Sequence, residues 1–385
     1  MIAREAESKL KELARRYPVV LVTGPRQSGK TLLCKKLFRD KPYALLENPD
    51  TLEFAVKDPR GFLAQYPEGA VLDEVQKAPQ LLSYLQGIVD EKNRPGLFIL
   101  TGSQYLLLLE KVSQTLAGRL AVFKLLPLTL KEARPFFQKA DLNRILLTGF
   151  FPRIHNERLS PTEALANYFE TYVERDVRQI VNVKNLLPFR RFVKLCAGRV
   201  GQLLNLSNLG LEAGVSHTTA REWLSVLEAS FIVFLLPPYF KNFNKRIVKS
   251  PKLYFHDVGL AGYLLDIENP SHVSAHPARG ALFENLVILD ILKHRYNQGK
   301  SPNLYFFRDA SGHEVDLLTH AGQEITGVEI KVGQTITEDY FKGLEFLEKL
   351  TGGKHLRKYL VYGGEETQVR SRVRVVPYSQ CGGLF

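Results

Sequence analysis

The first 150 residues alternate short apolar runs with longer stretches of helical periodicity. Residues 18–23, 69–72 and 97–101 are almost wholly apolar and too short to form helices. Strands that are buried on both faces and that alternate with helices are typical of a parallel sheet. The pattern therefore predicts a parallel α/β domain at the start of the chain.

After this domain the pattern predicts mostly helices up to about residue 230. Residues 163–183 are helical, and residues 206–229 contain two helical stretches joined by the turn Gly214-Val215. Ser216 is suited to cap the second of these helices. A helix pair of this kind, followed by a strand and a basic hairpin, predicts a winged helix-turn-helix.

From residue 280 onward the pattern predicts a second kind of α/β domain. An apolar helix leads into three strands, a helix and a further strand, at residues 304–308, 314–318, 327–332, 338–350 and 359–362. We therefore expect four parts in the chain: a parallel α/β core over 1–150, a helical lid or linker over 151–200, a winged helix over 201–265 and an α/β domain over 266–385.

The composition is that of an ordinary globular protein. Of the 385 residues, 45% are hydrophobic and 24% are charged, which argues against extensive disorder. Cys34, Cys196 and Cys381 lack the paired spacing of a zinc site or a disulfide framework. No stretch reaches the ~18 apolar residues of a membrane span. We expect a soluble protein of the reducing cytoplasm without a membrane partner.

The charge balance is strongly basic. Lys and Arg number 52 against 40 Asp and Glu, which gives a formal net charge of +12. An excess of positive charge favours partners with dense negative charge, above all nucleic acid. The alternative is that this charge only keeps the protein in solution.

One motif indicates a nucleotide site. A strand, a glycine-rich loop and a helix follow one another, and the loop matches G-x-x-x-x-G-K-T. Backbone N–H groups of such a loop cradle phosphates, the lysine reaches the β- and γ-phosphates, and the last hydroxyl binds Mg²⁺. We therefore predict that ATP and Mg²⁺ are bound by Gly24, Pro25, Arg26, Gln27, Ser28, Gly29, Lys30 and Thr31.

Two adjacent carboxylates follow the next buried strand. Asp73 and Glu74 come directly after Ala70-Val71-Leu72. We predict that Asp73, together with Thr31, holds Mg²⁺ and that Glu74 is the base that activates a water for attack on the γ-phosphate. The alternative is an exposed acidic strand end.

Two further polar positions belong to this prediction. The strand at residues 97–101 runs into Gly102-Ser103-Gln104, and Ser103 is a candidate to sense the γ-phosphate, because ligands bind at the carboxyl ends of parallel strands. Arg119 follows the small residues Ala117-Gly118. By itself it is only an arginine after a turn of small residues, and it could simply belong to a surface salt bridge.

Taken together, these motifs resemble the prokaryotic AAA+ ATPases that carry a C-terminal domain of formerly unknown function. The resemblance continues in Pro127-Leu128-Thr129, Phe151-Pro152, Glu174-Arg175-Asp176 and the C-terminal motifs described below, so it covers nearly the whole chain. It implies a sensor at residues 101–104, a ring-like homo-oligomer that we expect to be hexameric, and an arginine finger at Arg119 that completes a neighbouring subunit's site.

The basic hairpin after the helix pair is a candidate surface for DNA. Its positive residues stand among Phe and Tyr, as in a wing that lies against phosphates. The predicted DNA contacts are Lys241, Lys245, Arg246, Lys249 and Lys252. Winged helices also pack against proteins, and that alternative stays open.

The C-terminal domain carries a second candidate site. Glu284 lies on the apolar helix, Asp316 on a strand, and Glu329 with Lys331 on one face of the next strand. This set resembles the active site of the PD-(D/E)xK nuclease fold, and the resemblance implies Mg²⁺ held by the three carboxylates, with Lys331 beside the attacking water. The alternative is a retained nuclease-like fold that does not cut.

Two hypotheses of function follow. The first is an oligomeric AAA+ ATPase that binds and remodels DNA, including branched or junction DNA, with metal-dependent cleavage as an added activity. The second is a regulatory NTP switch whose C-terminal domains bind protein partners. Stimulation of ATP turnover by DNA would distinguish them.

Overall fold

The structure of the protein is a computed structural model, which describes residues 2–103, 116–138, 141–173, 186–239 and 248–384. The chain forms two compact units. One comprises residues up to Leu128 with the short segments Ala229–Phe231 and Tyr296–Lys300, and the other comprises Thr129–Glu228, Ile232–Arg295 and Ser301–Phe385. The division into four parts stays a prediction.

The first unit is built on a parallel sheet. Its strands are β1 Val19–Thr23, β2 Tyr43–Leu45, β3 Ala70–Asp73, β4 Phe98–Gly102 and β5 Leu120–Lys124. They pair in the order β2-β3-β4-β1-β5, and every pair is parallel. The helices are α1 Glu7–Arg16, α2 Lys30–Leu37, α3 Pro49–Lys57, α4 Pro59–Ala64 and α5 Leu81–Lys92. The predicted parallel α/β class is confirmed.

Burial of both faces explains why these strands are continuous apolar runs. In β1, Val19 and Leu21 lie in one hydrophobic core, whereas Val20 and Val22 lie in the core on the opposite face, as the alternation of side chains along a strand requires. Because all five strands are parallel, their carboxyl ends meet at one edge of the sheet. Strand β4 lies between β1 and β3 at that edge.

The next part of the chain is mostly helical. Its helices are α6 Leu130–Ala133, α7 Leu142–Thr148, α8 Pro152–Asn156, α9 Pro161–Tyr168, α10 Leu186–Ala197, α11 Leu206–Ala213 and α12 His217–Ala229. Gly214 ends α11 in a left-handed conformation with φ 77°, and the backbone N–H of Thr219 donates to Ser216 Oγ at 3.1 Å. The predicted helix, turn and helix are therefore present. Residues 174–176 lie outside the described part of the chain.

Two antiparallel strands and three helices follow, namely β6 Val233–Leu236, β7 Lys252–Phe255, α13 Val258–Leu264, α14 Pro270–Ala275 and α15 Arg279–Asn297. The Asp257 side chain caps α13 by accepting from the N–H of Leu260 at 3.0 Å, and it also accepts from the N–H of Phe150 at 2.7 Å. This carboxylate therefore joins residues 107 positions apart.

The C-terminal part is a mixed six-stranded sheet with helix α16 Lys342–Thr351. Its strands are β8 Tyr305–Arg308, β9 Glu314–Ala321, β10 Glu324–Lys331, β11 Leu356–Tyr362, β12 Gln368–Arg370 and β13 Val373–Pro377, paired in the order β12-β13-β11-β10-β9-β8. This matches the predicted order of helix, three strands, helix and strand. Within the described residues, no helix has the length and apolar character that crossing a membrane requires.

Candidate functional site

The loop between β1 and α2 has the backbone that a phosphate cradle needs. Gly24 has φ 149°, and a Cβ there would lie 2.1 Å from the carbonyl oxygen of Leu125, so only glycine fits. Gly29 is left-handed with φ 92° and starts α2. Pro25, Arg26, Gln27 and Ser28 lie between them. The loop thus leads into a helix amino terminus, where unpaired N–H groups favour anions.

Lys30 is folded back onto its own loop. Its Nζ donates to the carbonyl oxygens of Gly24 at 2.9 Å and Pro25 at 2.7 Å. Burial lowers the pKa of Lys30 from 10.5 to about 8, although Glu74 and Asp73 oppose this effect. The ammonium is therefore placed at the phosphate cradle but is poorly stabilised there without a further negative charge.

Asp73 is surrounded by hydroxyl groups at the end of β3. Its carboxylate accepts from Thr31 at 2.9 Å, from Tyr43 at 2.5 Å, and from Thr101. Tyr43 lies on β2 and Thr101 on β4, the strands on either side of β3. Tyr43 is not among the predicted site residues, because nothing local in β2 distinguishes it from a core tyrosine.

Glu74 turns away from the strand in a left-handed conformation with φ 57°. Its N–H donates to Thr101 Oγ1 at 3.2 Å, and its carboxylate accepts from Ser103 at 3.2 Å and from Gln76. Ser103 is thus brought to Glu74, while Gln104 lies outside the described residues. Gln76 is a site residue that the sequence analysis missed.

The donor set fits a magnesium-bound nucleotide. Ser28 Oγ and Gln76 Oε1 are buried and have no hydrogen-bond partner within the described part of the chain. The Thr31 hydroxyl and the Asp73 carboxylate are oxygen ligands of the kind that Mg²⁺ prefers. Thr31 and Asp73 would hold the metal, which would offset charge on the phosphate oxygens.

Arg4 is a third residue that the sequence did not predict, after Tyr43 and Gln76. Its side chain is buried and donates to the carbonyl oxygens of Ser28 and Leu126, each at 2.7 Å. The first of these carbonyls belongs to the phosphate loop and the second follows β5. Arg4 therefore connects the loop to the chain beyond the neighbouring strand.

Arg119 lies at the opposite edge of the sheet. It precedes β5, whose first residue Leu120 pairs with Val19 at the start of β1. The phosphate loop follows the other end of this five-residue strand, about 16 Å away at roughly 3.3 Å per residue. In its own chain the Arg119 side chain forms an exposed ion pair with Asp90. It does not reach the phosphate loop of its own chain.

The second predicted cluster assembles around β9 and β10. Lys331 Nζ lies 3.0 Å from Asp316 Oδ2 and 2.6 Å from Glu329 Oε2, and the N–H of Ile330 also donates to Asp316 Oδ2 at 2.8 Å. Burial and the nearby Asp316 raise the pKa values of Glu284 and Glu329. Burial would also raise the pKa of Asp316, but Lys331 and Lys252 outweigh it and hold this pKa below its usual value.

Lys252 corrects one expectation. The prediction placed it on an exposed wing against DNA, whereas it begins β7 and is only 2% exposed. Its Nζ lies 3.0 Å from Glu284 Oε1 and 2.5 Å from Glu314 Oε1. The neighbouring Tyr254 donates to Glu284 Oε1 at 2.5 Å. An ammonium enclosed in this way is not available to DNA.

The other predicted wing residues divide into two groups. Lys249 is exposed. Lys241, Lys245 and Arg246 lie outside the described residues. The proposed DNA contact of the wing therefore stays a prediction for Lys249 and for these three positions.

The carboxylates of the second cluster do not fit a divalent cation. Over the described ranges no group of three His, Cys, Asp or Glu side chains is arranged to hold a metal. Glu284 and Asp316 are each bonded to a lysine, and so is Glu329. The predicted metal ligands are thus brought together with cations among them.

Comparison with known families divides the chain into three matches. An AAA domain matches residues 16–134, a domain of unknown function (DUF8612) matches residues 139–271, and another (DUF4143) matches residues 279–381. The first match includes the phosphate loop, Asp73, Glu74 and Arg119. The chain therefore carries a P-loop ATPase domain of the AAA type.

Two solved structures are distantly similar to this chain. The Walker-type ATPase PABY2304 of Pyrococcus abyssi is 15% identical, with 69% of this chain and 96% of that chain covered and a TM-score of 0.46. AMPPCP-bound DnaA from Aquifex aeolicus is 17% identical, with 58% and 85% covered and a TM-score of 0.30. At such scores neither structure bears on what this protein binds.

Some proteins known from their sequences have a higher identity to this chain than these two structures do. The uncharacterized proteins Mb2031c of Mycobacterium bovis and Rv2008c of Mycobacterium tuberculosis are each 31% identical over 368 residues, which cover 94% of this chain and 80% of each relative. An uncharacterized protein of Haemophilus influenzae is 22% identical over 345 residues, which cover 81% and 82%. The chain belongs to the same family as the two mycobacterial proteins, with an AAA-type P-loop ATPase domain followed by the two domains of unknown function.

Proposed function

We propose that the protein hydrolyses Mg²⁺-bound ATP as a homo-oligomer and couples turnover to the binding and remodelling of DNA. The hydrolytic part rests on one observation: the Glu74 carboxylate is fixed by Ser103 and Gln76 at the sheet edge that carries the phosphate loop. A carboxylate held there can take a proton from a water that attacks the γ-phosphate in line. Lys30 turns from the loop carbonyls to the phosphates.

Assembly is proposed because Arg119 is remote from its own phosphate loop. An arginine contributes to phosphoryl transfer only where it reaches the charge that develops on the γ-phosphate. A side chain on the opposite edge of the sheet can do this for a neighbouring copy. A ring of six copies, as the resemblance to AAA+ ATPases implies, would give every site such a partner.

DNA is proposed as the partner because of the charge on the C-terminal sheet. The edge hairpin formed by β12 and β13 carries three exposed arginines, Arg370, Arg372 and Arg374. At its turn, Ser371 and Arg372 have φ values of 48° and 61°, which are unfavourable for residues other than glycine, asparagine and aspartate. Arginines held on a hairpin edge can follow a phosphate backbone, and the net charge of +12 favours the same partner.

The test is ATP turnover with linear, single-stranded and four-way-junction DNA at matched salt. We expect stimulation, and we expect weaker DNA binding with a smaller salt dependence in the variant Arg370→Glu/Arg372→Glu/Arg374→Glu. The matched control is Arg15→Glu/Arg16→Glu/Lys57→Glu, which changes the net charge equally at exposed positions of the first unit. Equal loss in both variants would mean that the hairpin is not the contact.

Turnover that no DNA form changes would contradict DNA coupling. The regulatory switch with protein partners would then be the better account of the two domains that follow the ATPase domain. ATP hydrolysis itself is judged separately, by turnover without DNA, so that failure of one part does not decide the other.

A further inference from the structure

The cluster around Glu284 is formed by residues from three elements that are far apart in the sequence. Glu284 comes from α15, Glu314 and Asp316 from β9, and Lys252 with Tyr254 from β7. Lys252 is almost fully enclosed and contacts both Glu284 and Glu314. A buried ammonium is costly unless it is paired, so these contacts are what allows Lys252 to lie there charged.

One oxygen of Glu284 and one oxygen of Asp316 already accept two hydrogen bonds each. Glu284 Oε1 accepts from Lys252 Nζ at 3.0 Å and from the Tyr254 hydroxyl at 2.5 Å. Asp316 Oδ2 accepts from the N–H of Ile330 at 2.8 Å and from Lys331 Nζ at 3.0 Å. A carboxylate oxygen has about two lone-pair sites, so both oxygens are saturated.

The charges are also nearly balanced. Counted in their ionised forms, four carboxylates, those of Glu284, Glu314, Asp316 and Glu329, are paired with three cations, Lys252, Lys331 and Arg308. A divalent cation would turn an excess of one negative charge into an excess of one positive charge. Repulsion between that ion and two ammonium groups in a buried setting would oppose binding.

We propose that Lys252 supplies the positive charge that a nuclease of the PD-(D/E)xK fold takes from a divalent metal ion. The C-terminal domain then holds its carboxylates without metal and does not cut phosphodiester bonds. The same ion pairs fix β7 to α15 and β9. The predicted winged-helix part, to which β7 belongs, and the C-terminal sheet therefore share one buried site. This inference is independent of ATP hydrolysis and of DNA binding.

The test is Mn²⁺ binding to the full-length, nucleotide-free protein, measured by electron paramagnetic resonance with thermal melting as a check of folding. Four proteins are compared: wild type, Asp316→Asn, Lys252→Gln and the double variant. Binding at the ATP site is common to all four and cancels. We expect wild type and Asp316→Asn to bind equal amounts, Lys252→Gln to gain one site, and the double variant to lose that gain.

One Mn²⁺ more in wild type than in Asp316→Asn would overturn the proposal, and this comparison needs no Lys252 variant. Absence of a gain in folded Lys252→Gln would overturn the claim that Lys252 stands in for the metal. A second readout is cleavage of linear and junction DNA with Mg²⁺ or Mn²⁺. We expect none, and metal-dependent cleavage that Asp316→Asn abolishes would overturn the proposal.

Discussion

The guanidinium of Arg4 donates a 2.7 Å hydrogen bond to the carbonyl oxygen of Ser28, inside the phosphate loop. Its other terminal nitrogen bonds the carbonyl oxygen of Leu126 at the same distance. Both bonds are charge-assisted and buried, and such bonds contribute about 1.5–3 kcal/mol each. The loop is therefore held in place by a residue that is not part of its motif.

We predict that Arg4→Lys loses about tenfold in kcat/KM for ATP, because one ammonium cannot reproduce the two-pronged contact. The loss should be mainly in KM, since the loop backbone binds the phosphates. Steady-state kinetics measure this. The control is Arg16→Lys on α1, whose exposed side chain pairs with Glu12 and whose kinetics should equal wild type. Unchanged KM in a folded Arg4→Lys protein would contradict the role.

Lys30 and Glu74 should separate binding from chemistry. Lys30→Ala should weaken ATP binding by about 10- to 100-fold, as expected when charge-assisted bonds to the phosphates are lost. Glu74→Gln should keep ATP bound while turnover falls by about 10²- to 10⁴-fold, the range for general-base catalysis. Equilibrium binding and turnover measured on the same samples test both. Turnover of wild-type order in Glu74→Gln would exclude the base role.

ATP binding should depend on pH through Lys30. Its pKa of about 8 in the nucleotide-free protein should rise when phosphates approach, so binding takes up a proton at and above this pH. We expect constant affinity below pH 8 and a loss of up to about tenfold per pH unit above it. Calorimetry in buffers of different ionisation enthalpy measures the proton. No uptake at pH 8.5 would contradict this pKa.

The same pKa affects stability without nucleotide. Because the pKa of Lys30 is lower in the folded protein than in the unfolded chain, the unfolded chain holds more protons between pH 8 and 10.5. The Lys30 contribution to the free energy of unfolding should therefore rise with pH in this window, by up to about 1.4 kcal/mol per pH unit. The slope should be absent in Lys30→Met, as chemical denaturation at several pH values can show.

Arg119 should act across a subunit interface. Arg119→Ala should reduce turnover by about 10³-fold or more, the usual loss for an arginine finger, and stability should change little because its pair with Asp90 is exposed. Mixing Arg119→Ala with Lys30→Ala should restore part of the turnover. Asp90→Ala is the control, since it breaks the pair and keeps the arginine. No rescue in an assembled mixed oligomer would count against the trans role.

The nucleotide site could be predicted where its parts are contiguous in the sequence. The phosphate loop and the pair Asp73-Glu74 each follow an apolar strand, and parallel pairing alone brings the ends of β1 and β3 to one edge. Arg4 could not be predicted, because its contacts join residues 24 and 122 positions apart. Nothing in its neighbourhood distinguishes it from the other charged residues near the start of the chain.

Lys252 shows a different limit. In the sequence it is one of several lysines in a basic stretch, and charge patterning does not tell a solvated lysine from a buried one. What separates them is the pairing partner, and Glu284 lies 32 positions away. The alternation in β10 did predict correctly that Glu329 and Lys331 are neighbours, because both lie on one strand.

Glu74 has a left-handed backbone, with φ 57° and ψ 47°. This conformation lowers the stability of the fold, whereas ATP turnover requires the glutamate side chain. A glutamate in that conformation costs roughly 1–3 kcal/mol of conformational free energy, whereas asparagine or glycine tolerates it. Laboratory selection for heat resistance alone should therefore favour Asn or Gly at this position. The survivors would be nucleotide traps: they would melt at a higher temperature, retain ATP and no longer convert it to ADP and phosphate.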